Sequence, residues 1–225
     1  MPDILPFQQA IIENAIQQDA LNVIAPGLGM YQVVAILLRV QDERRKLPGE
    51  NGVTLVIGAN VQQRLVLQKE LDRIHPVSNR CELSEENVFP FEVTADLPTA
   101  ERLRLYSTRS CLFVTTRILV VDFLSGRLDP KIVSGLIILN AHKATESSGE
   151  GFAVRLYKGK GGEGYVRAFS DNPFSFNAEF AKVEKVMKAV HAQSLQIWPR
   201  FRTAVQDDFD GREPEVGVNV NLLNF

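Results

Sequence analysis

Cysteine is scarce in this sequence of 225 residues, which contains only Cys81 and Cys111 together with three histidines. No Cys-x-x-Cys pair and no paired Cys/His spacing is present, so the sequence offers no ligand pattern for a structural zinc ion. The low cysteine content also favours a reducing compartment over an oxidising one.

An excess of positive charge is also missing. Lys and Arg number 25 against 27 Asp and Glu, which gives a formal net charge of -2. This balance excludes a domain that binds nucleic acid through its overall charge, so any DNA site must be a local patch.

Long apolar runs are missing as well. No run approaches the roughly 18 residues that a membrane-spanning helix needs. The first residues, Met-Pro-Asp-Ile-Leu-Pro, lack the basic and apolar regions of a signal peptide. We therefore expect a soluble intracellular chain with no membrane partner.

What the sequence does contain is a series of short apolar runs that alternate with helix-like segments. This alternation is typical of an α/β fold with a mostly parallel sheet and helices on both faces. Such sheets bind ligands at the carboxyl ends of their strands. The predicted strands are Leu21–Ala25, Val53–Ile57, Cys111–Thr115, Leu136–Leu139 and Tyr165–Phe169, and the predicted helices are Ile4–Gln18, Tyr31–Lys46, Val61–Ile74, Pro98–Ser107, Arg117–Leu124 and Gly151–Lys158.

Three further segments have patterns of their own. Ala178–His191 has the spacing of an amphipathic helix. His75–Pro90 is polar and irregular, which predicts a surface excursion, and Val216–Leu222 alternates as a strand does. The predicted apolar face of the amphipathic helix consists of Phe180, Val183, Met187 and Val190.

The first motif is a glycine turn between the first predicted strand and the next helix. Gly27 and Gly29 lie where a phosphate-binding loop would be, but the spacing is about one residue short of Gly-x-x-x-x-Gly-Lys-[Ser/Thr]. Met30 replaces the lysine, and Tyr31 replaces the hydroxyl residue that would bind Mg²⁺. An ordinary strand–helix turn is the alternative interpretation.

The second motif follows the strand Leu136–Leu139. Ala141 and His142 match the end of an Asp-Glu-Ala-His helicase box, whereas Leu139 and Asn140 replace its two carboxylates. The alternative is a strand end with a polar cap. A third element, Ser170–Pro173, resembles the Ser/Thr-Ala-Thr-Pro motif of helicases, or is a helix cap followed by proline.

Polar residues that suit phosphate oxygens follow two other strands. Thr116 and Arg117 begin one predicted helix, and Asn60 and Arg64 lie at the start of another. With Lys143, which directly follows the second motif, they form the predicted DNA-binding set. The alternative is that Thr116 only caps its helix. For Trp198, the only tryptophan, a core anchor is favoured over base stacking.

Together these motifs resemble the N-terminal helicase-like region of the XPF family of DNA-repair structure-specific endonucleases, from about Gln8 to about Val220. The resemblance implies a RecA-like superfamily 2 helicase lobe over residues 1–193 with a degenerate nucleotide site. It implies that residues 194–225 begin the connection to a missing helical or second lobe. The strings that carry it are Thr115–Leu124, Ala141–Lys143, Ala168–Asn172 and Trp198–Phe201.

The resemblance also implies a function. In this family the module does not unwind DNA but engages branched or single-stranded DNA and other repair proteins, in nucleotide excision repair and interstrand crosslink repair in the nucleus. The non-catalytic subunit of the XPF heterodimer would bind through the missing C-terminal region.

The nuclease signature Glu-Arg-Lys-x-x-x-Asp is absent, and Glu43–Lys46 resembles it only superficially. No catalytic residue is therefore assigned, and the Mg²⁺ that the resemblance implies would belong to the missing nuclease domain. The chain is interpreted as an N-terminal fragment or a truncated product of such a protein.

Two other functions stay open. One is a scaffold lobe that binds only protein. The other is a working ATPase or helicase, which would need a cation at Met30 and carboxylates at Leu139 and Asn140. Losing each such transition-state stabiliser typically costs about 3 kcal/mol or more.

Overall fold

Strands and helices alternate along the chain in a computed structural model that describes residues 4–45, 47–48, 52–74, 91–177 and 179–210. The strands in these ranges are β1 (Ala20–Ile24), β2 (Val53–Ile57), β3 (Phe91–Val93), β4 (Cys111–Val114), β5 (Val133–Ile138), β6 (Tyr165–Ser170) and β7 (Ser194–Trp198). The α-helices are α1 (Pro6–Gln17), α2 (Met30–Arg45), α3 (Val61–Ile74), α4 (Thr99–Thr108), α5 (Thr116–Leu124), α6 (Gly149–Gly159), α7 (Lys182–Ala189) and α8 (Thr203–Asp210).

The strands form one sheet in the order β3-β4-β2-β5-β6-β1-β7, and every recorded pair is parallel. Parallel pairing brings the carboxyl ends of all these strands to one edge of the sheet. The loops that carry the sequence motifs therefore lie side by side along that edge.

Apolar side chains on both faces of the sheet explain why the strands are continuous apolar runs. In β2, Leu55 and Ile57 pack into the core on one face, and Val56 packs into the core on the other. Successive side chains of a strand point to opposite faces, so a sheet covered on both sides needs apolar residues at every position. The helices α4, α5, α6 and α7 cover the first face, and α1, α2, α3 and α8 cover the second.

These observations confirm the predicted α/β class with a parallel sheet. The predicted bounds of β2 and α3 coincide with the observed bounds, and other elements are displaced by a few residues. The sequence patterns did not predict β3, β7 or α8. The predicted excursion at His75–Pro90 and the predicted strand at Val216–Leu222 lie outside the described residues.

The predicted end of the lobe at residue 193 needs correction. Ser194–Trp198 pairs with β1 over five residues as the last strand of the same sheet, so the lobe extends past residue 193. Trp198 is buried on the α1–α2 face, as expected of a core anchor. Whether the remaining residues lead to a second lobe stays a prediction.

The predicted amphipathic helix at Ala178–His191 begins later than its pattern suggested. Ala181 has a φ of 55°, and α7 starts only at Lys182. Phe180 therefore lies outside the helix, is 94% exposed and does not belong to the apolar face. Among the described residues, no helix is both long and apolar enough to cross a membrane.

Candidate nucleic-acid interface

A cavity of about 290 Å³ opens at the carboxyl ends of β2, β4 and β5. It brings together residues that are far apart in the sequence because the strand ends are neighbours in the sheet. Four of the five predicted DNA-binding residues line it, joined by Asn140 from the predicted nucleotide site. These lining residues are Asn60, Arg64, Thr116, Asn140 and Lys143.

The charges in this cavity are only partly paired. Arg64 forms an ion pair with Glu92 of β3, and the Thr116 hydroxyl donates to Glu150 Oε1 at 3.0 Å. Lys143 is exposed, and no carboxylate of the described residues lies within ion-pair distance of its ammonium group. Of the two cations that line the cavity, Arg64 is therefore paired with a carboxylate and Lys143, within the described ranges, is not.

Arg117 points away from this cavity. It lies in the first turn of α5 beside Thr116, but its side chain lines a different surface depression with Ala95, Arg102 and Val121. Successive helix residues are rotated by about 100°, so neighbours in the sequence face different directions. The structure thus separates Arg117 from the other four predicted residues.

A network of amide side chains holds the cavity walls together. Gln63 Nε2 donates to Asn140 Oδ1 at 2.8 Å, and Asn140 Nδ2 donates back to Gln63 Oε1 at 2.7 Å. At the start of α3, Asn60 Oδ1 accepts from the Gln63 backbone N–H, and Gln63 Oε1 accepts from the Asn60 N–H. This reciprocal pattern is a capping box. Gln63 was left out of the predicted DNA-binding set, although it directly precedes Arg64 and lies three residues after Asn60.

The backbone around Asn140 is equally specific. Asn140 has a left-handed conformation with a φ of 54°, which asparagine tolerates better than most residues. Its Nδ2 also donates to the Gly58 carbonyl at 2.8 Å. A Cβ on Gly58 would lie 2.3 Å from the Leu139 carbonyl oxygen, so only glycine allows this approach. The ends of β2 and β5 are therefore locked together.

The glycine turn after β1 is contacted on two sides. Gln8 of α1 donates to the Leu28 carbonyl at 3.2 Å, and a Cβ on Gly29 would lie 2.3 Å from Gln8 Nε2. Arg200 donates twice to the Pro26 carbonyl, at 3.0 and 2.6 Å, and packs against Gly27. Neither Gln8 nor Arg200 was predicted as a partner of this turn, since such contacts depend on the tertiary fold.

The two residues that replace the lysine and hydroxyl of a phosphate-binding loop have different environments. Met30 is buried in the core between α1, α2 and the sheet. The Tyr31 hydroxyl donates to Asp171 Oδ2 at 3.2 Å, which joins the turn to the end of β6. Burial raises the pKa of this phenol, and a hydrogen bond with the Gln63 side chain lowers it by less.

The second motif contributes a buried aliphatic residue and a buried histidine. Leu139 is fully buried, and His142 Nδ1 lies 2.8 Å from the Ser170 hydroxyl. Burial lowers the pKa of His142, and the nearby Lys143 lowers it further. Met30 is thus withdrawn from the surface of the turn, and the Asn140 amide is engaged by protein groups. The degenerate nucleotide site stays a prediction.

No protein-family model matches the chain. Relatives are the DNA repair endonuclease UVH1 of Arabidopsis thaliana, 33% identical, and the DNA repair protein RAD1 of Saccharomyces cerevisiae, 35% identical. Each match covers 98% of this chain and 22% of the relative. The DNA repair endonuclease XPF of Mus musculus is 30% identical over 96% of the chain and 22% of its own length.

Among solved structures, the helicase domain of Pyrococcus furiosus Hef superposes with a TM-score of 0.71 at 17% identity, over 90% of this chain and 39% of that one. At this identity the likeness concerns the fold alone, which is RecA-like. The chain spans about a fifth of the length of the curated relatives, and the matched part is their N-terminal part. The chain therefore matches the helicase-like N-terminal region of the DNA-repair endonucleases named XPF, RAD1 and UVH1.

Proposed function

We propose that this lobe is a non-catalytic DNA-engaging module of an XPF-type structure-specific endonuclease. The observation that carries the proposal is the cavity at the ends of β2, β4 and β5, which is lined by four of the five predicted DNA-binding residues. Work in nucleotide excision repair and crosslink repair in the nucleus, on branched or single-stranded DNA, is part of the same proposal.

The cavity suits the DNA backbone better than the bases. It lies at the first turns of α3 and α5, where backbone N–H groups without helical partners favour anions. At α3 the capping box already satisfies the N–H groups of Asn60 and Gln63, so the other N–H groups of these turns are the ones open to a phosphate. Asn60 and Thr116 add neutral hydrogen-bonding groups, and Lys143 adds a charge. Such contacts position a protein on DNA without reading its sequence.

Two acidic side chains in or beside the cavity limit the expected affinity. Glu92 already pairs with Arg64, and Glu150 accepts from Thr116. A phosphate must compete with both carboxylates. We therefore expect weak binding by the isolated chain that depends strongly on salt, because its net charge of -2 provides no general attraction to DNA.

The test compares Lys143→Ala with Arg117→Ala, two substitutions that each remove one exposed cation. Binding of a fluorescent splayed-arm DNA is followed by anisotropy over a range of salt concentrations. Lys143→Ala should weaken binding and lower the slope of log K against log salt by about 1, whereas Arg117→Ala should leave both unchanged. Equal losses for the two variants would contradict the assignment of the cavity.

The competing function is a scaffold lobe that binds only protein. No binding of splayed-arm DNA by the wild-type chain at low salt would favour that function, because phosphate contacts are strongest there. The nuclease and the heterodimer partner that the resemblance implies would belong to regions outside this chain.

A further inference from the structure

A second, larger cavity of about 770 Å³ lies at the other end of the same sheet edge, beside the edge strand β7. Its lining is mainly apolar and includes three large side chains that are well exposed. Phe174 is 79% exposed, Phe201 is 78% exposed and Ile197 is 51% exposed. Clustered exposure of this kind is unusual on a soluble surface and marks an interaction site. We call this surface the β7 groove.

Strand β7 provides main-chain groups along the groove. It pairs with β1, and in the described residues it is the last strand of the sheet. The Trp198 carbonyl accepts from the Ala25 N–H, so Trp198 and Gln196 direct their main-chain groups toward β1. The main-chain groups of Leu195 and Ile197 consequently point outward, and the Leu195 N–H, the Leu195 carbonyl and the Ile197 N–H are the ones left for strand pairing, because the Ile197 carbonyl accepts from Arg202. An outward-facing strand edge can pair with another strand.

Two arginines define the carboxyl end of this edge. Arg202 Nη1 donates to the Ile197 carbonyl at 3.0 Å, and its guanidinium lies 3.7 Å from the centre of the Trp198 ring. Arg200, which lines the groove, is held by the Pro26 carbonyl. Within the described ranges, neither arginine has a carboxylate partner. An acidic group is therefore the complementary charge at this end.

We propose that the β7 groove binds an extended segment of a partner protein that adds to β7 as a strand. The segment would insert alternate apolar side chains into the groove and place an Asp or Glu near Arg200 and Arg202. Backbone pairing provides affinity in this mode of recognition, and the side-chain pockets provide specificity.

A peptide fits this surface better than DNA does. Outward N–H and C=O groups of a strand match the alternating donors and acceptors of another peptide backbone, whereas a phosphodiester offers acceptors only. The aliphatic floor formed by Val183, Leu195 and Ile197 is also poor for phosphate. Because β7 is four strands from β2, about 19 Å away at the usual strand spacing, the groove and the first cavity can be occupied together.

The first experiment selects a displayed library of random twelve-residue peptides on the wild-type chain, with counter-selection on Phe201→Asp. Phe201 is exposed, so this substitution should leave the fold intact. Enriched peptides should alternate apolar residues and carry an acidic residue near one end. Absence of enrichment over the Phe201→Asp variant would overturn the proposal.

The second experiment titrates a synthetic enriched peptide while following the fluorescence of Trp198, the only tryptophan of the chain. Phe174→Ala should weaken binding about tenfold. Phe180→Ala, which changes an even more exposed phenylalanine outside the lining, should not. Methylating alternate backbone nitrogens of the peptide should abolish binding, because strand pairing needs them. Binding of a fifteen-nucleotide oligo(dT) that is lost in Phe174→Ala would assign the surface to nucleic acid and overturn the proposal.

Discussion

Gln63 and Asn140 exchange two side-chain hydrogen bonds, of 2.8 and 2.7 Å, between the start of α3 and the end of β5. This amide pair joins two walls of the candidate DNA-binding cavity without contributing any charge. The same Gln63 closes the capping box with Asn60. Gln63 is therefore expected to position the cavity rather than attract phosphate.

Gln63→Ala should lower both stability and DNA affinity. The Asn140 amide would lose both of its bonds to Gln63, which costs about 1–2 kcal/mol of unfolding free energy. Because no charge is removed, the salt dependence of DNA binding should stay unchanged, in contrast to Lys143→Ala. Urea unfolding and fluorescence anisotropy measure these effects. Gln62→Ala, at the exposed neighbouring position, is the matched control, and equal losses in both variants would refute the positioning role.

Met30→Lys should destabilise the lobe rather than restore a nucleotide site. Met30 is 4% exposed within the α1–α2 core, and a buried ammonium group without a partner costs more than about 2 kcal/mol. Met30→Leu, which keeps the volume and the apolar character, should cost less than about 1.5 kcal/mol. Thermal unfolding distinguishes them. Heat from titrating Mg-ATP into the wild-type chain would contradict this interpretation of the turn.

The sequence was most informative where burial dictates the pattern. A strand such as β2, buried on both faces, has to be continuously apolar, and its bounds could be predicted. Strand β3 has only three residues, and β7 mixes polar residues with apolar ones because its outer side is partly exposed. Neither strand has a pattern long enough to stand out from a loop.

The candidate site could be predicted in its position but not in its orientation. Parallel strands guarantee that their carboxyl ends meet, which is why Asn60, Thr116 and Lys143 are found together. The direction of each side chain depends on helix phase, and this separated Arg117 from Thr116. The compensating acid Glu92 lies on a strand that the sequence pattern did not predict, so its pairing with Arg64 required the structure.

The free energy of unfolding of the lobe should decrease as the pH is lowered, because burial disfavours the protonated form of His142. Burial holds the pKa of His142 below its ordinary value of 6.5, so the folded state favours the neutral ring. Above pH 6.5 the His142 ring is neutral in both the folded and the unfolded state, so its titration does not reduce the free energy of unfolding. As the pH falls below this value the unfolded state binds a proton first, and stability declines until the folded pKa is passed.

The measurement is urea unfolding of wild type and His142→Asn between pH 8 and pH 5. The wild type should lose more unfolding free energy over this interval than His142→Asn does. His191→Asn is the control, since His191 is exposed and its left-handed backbone also suits asparagine. If wild type and His142→Asn have parallel pH profiles, His142 is not the titrating group.

Asp122→Ala should lower the free energy of unfolding more than most single substitutions, although Asp122 does not line the candidate DNA-binding cavity. Its buried carboxylate accepts from Arg102 Nε and Nη2, both at 3.2 Å, and from the Tyr106 hydroxyl at 2.9 Å, which fastens α5 to α4. Removing one partner of a buried pair leaves the other charge uncompensated and costs about 3–5 kcal/mol.

In a double-mutant cycle, Arg102→Met combined with Asp122→Leu should recover most of that loss, because the uncompensated charge is removed too. If urea unfolding finds the two single costs simply additive, the ion pair does not hold these helices together, and the packing of Ile118, Leu119 and Phe123 alone accounts for the position of α5.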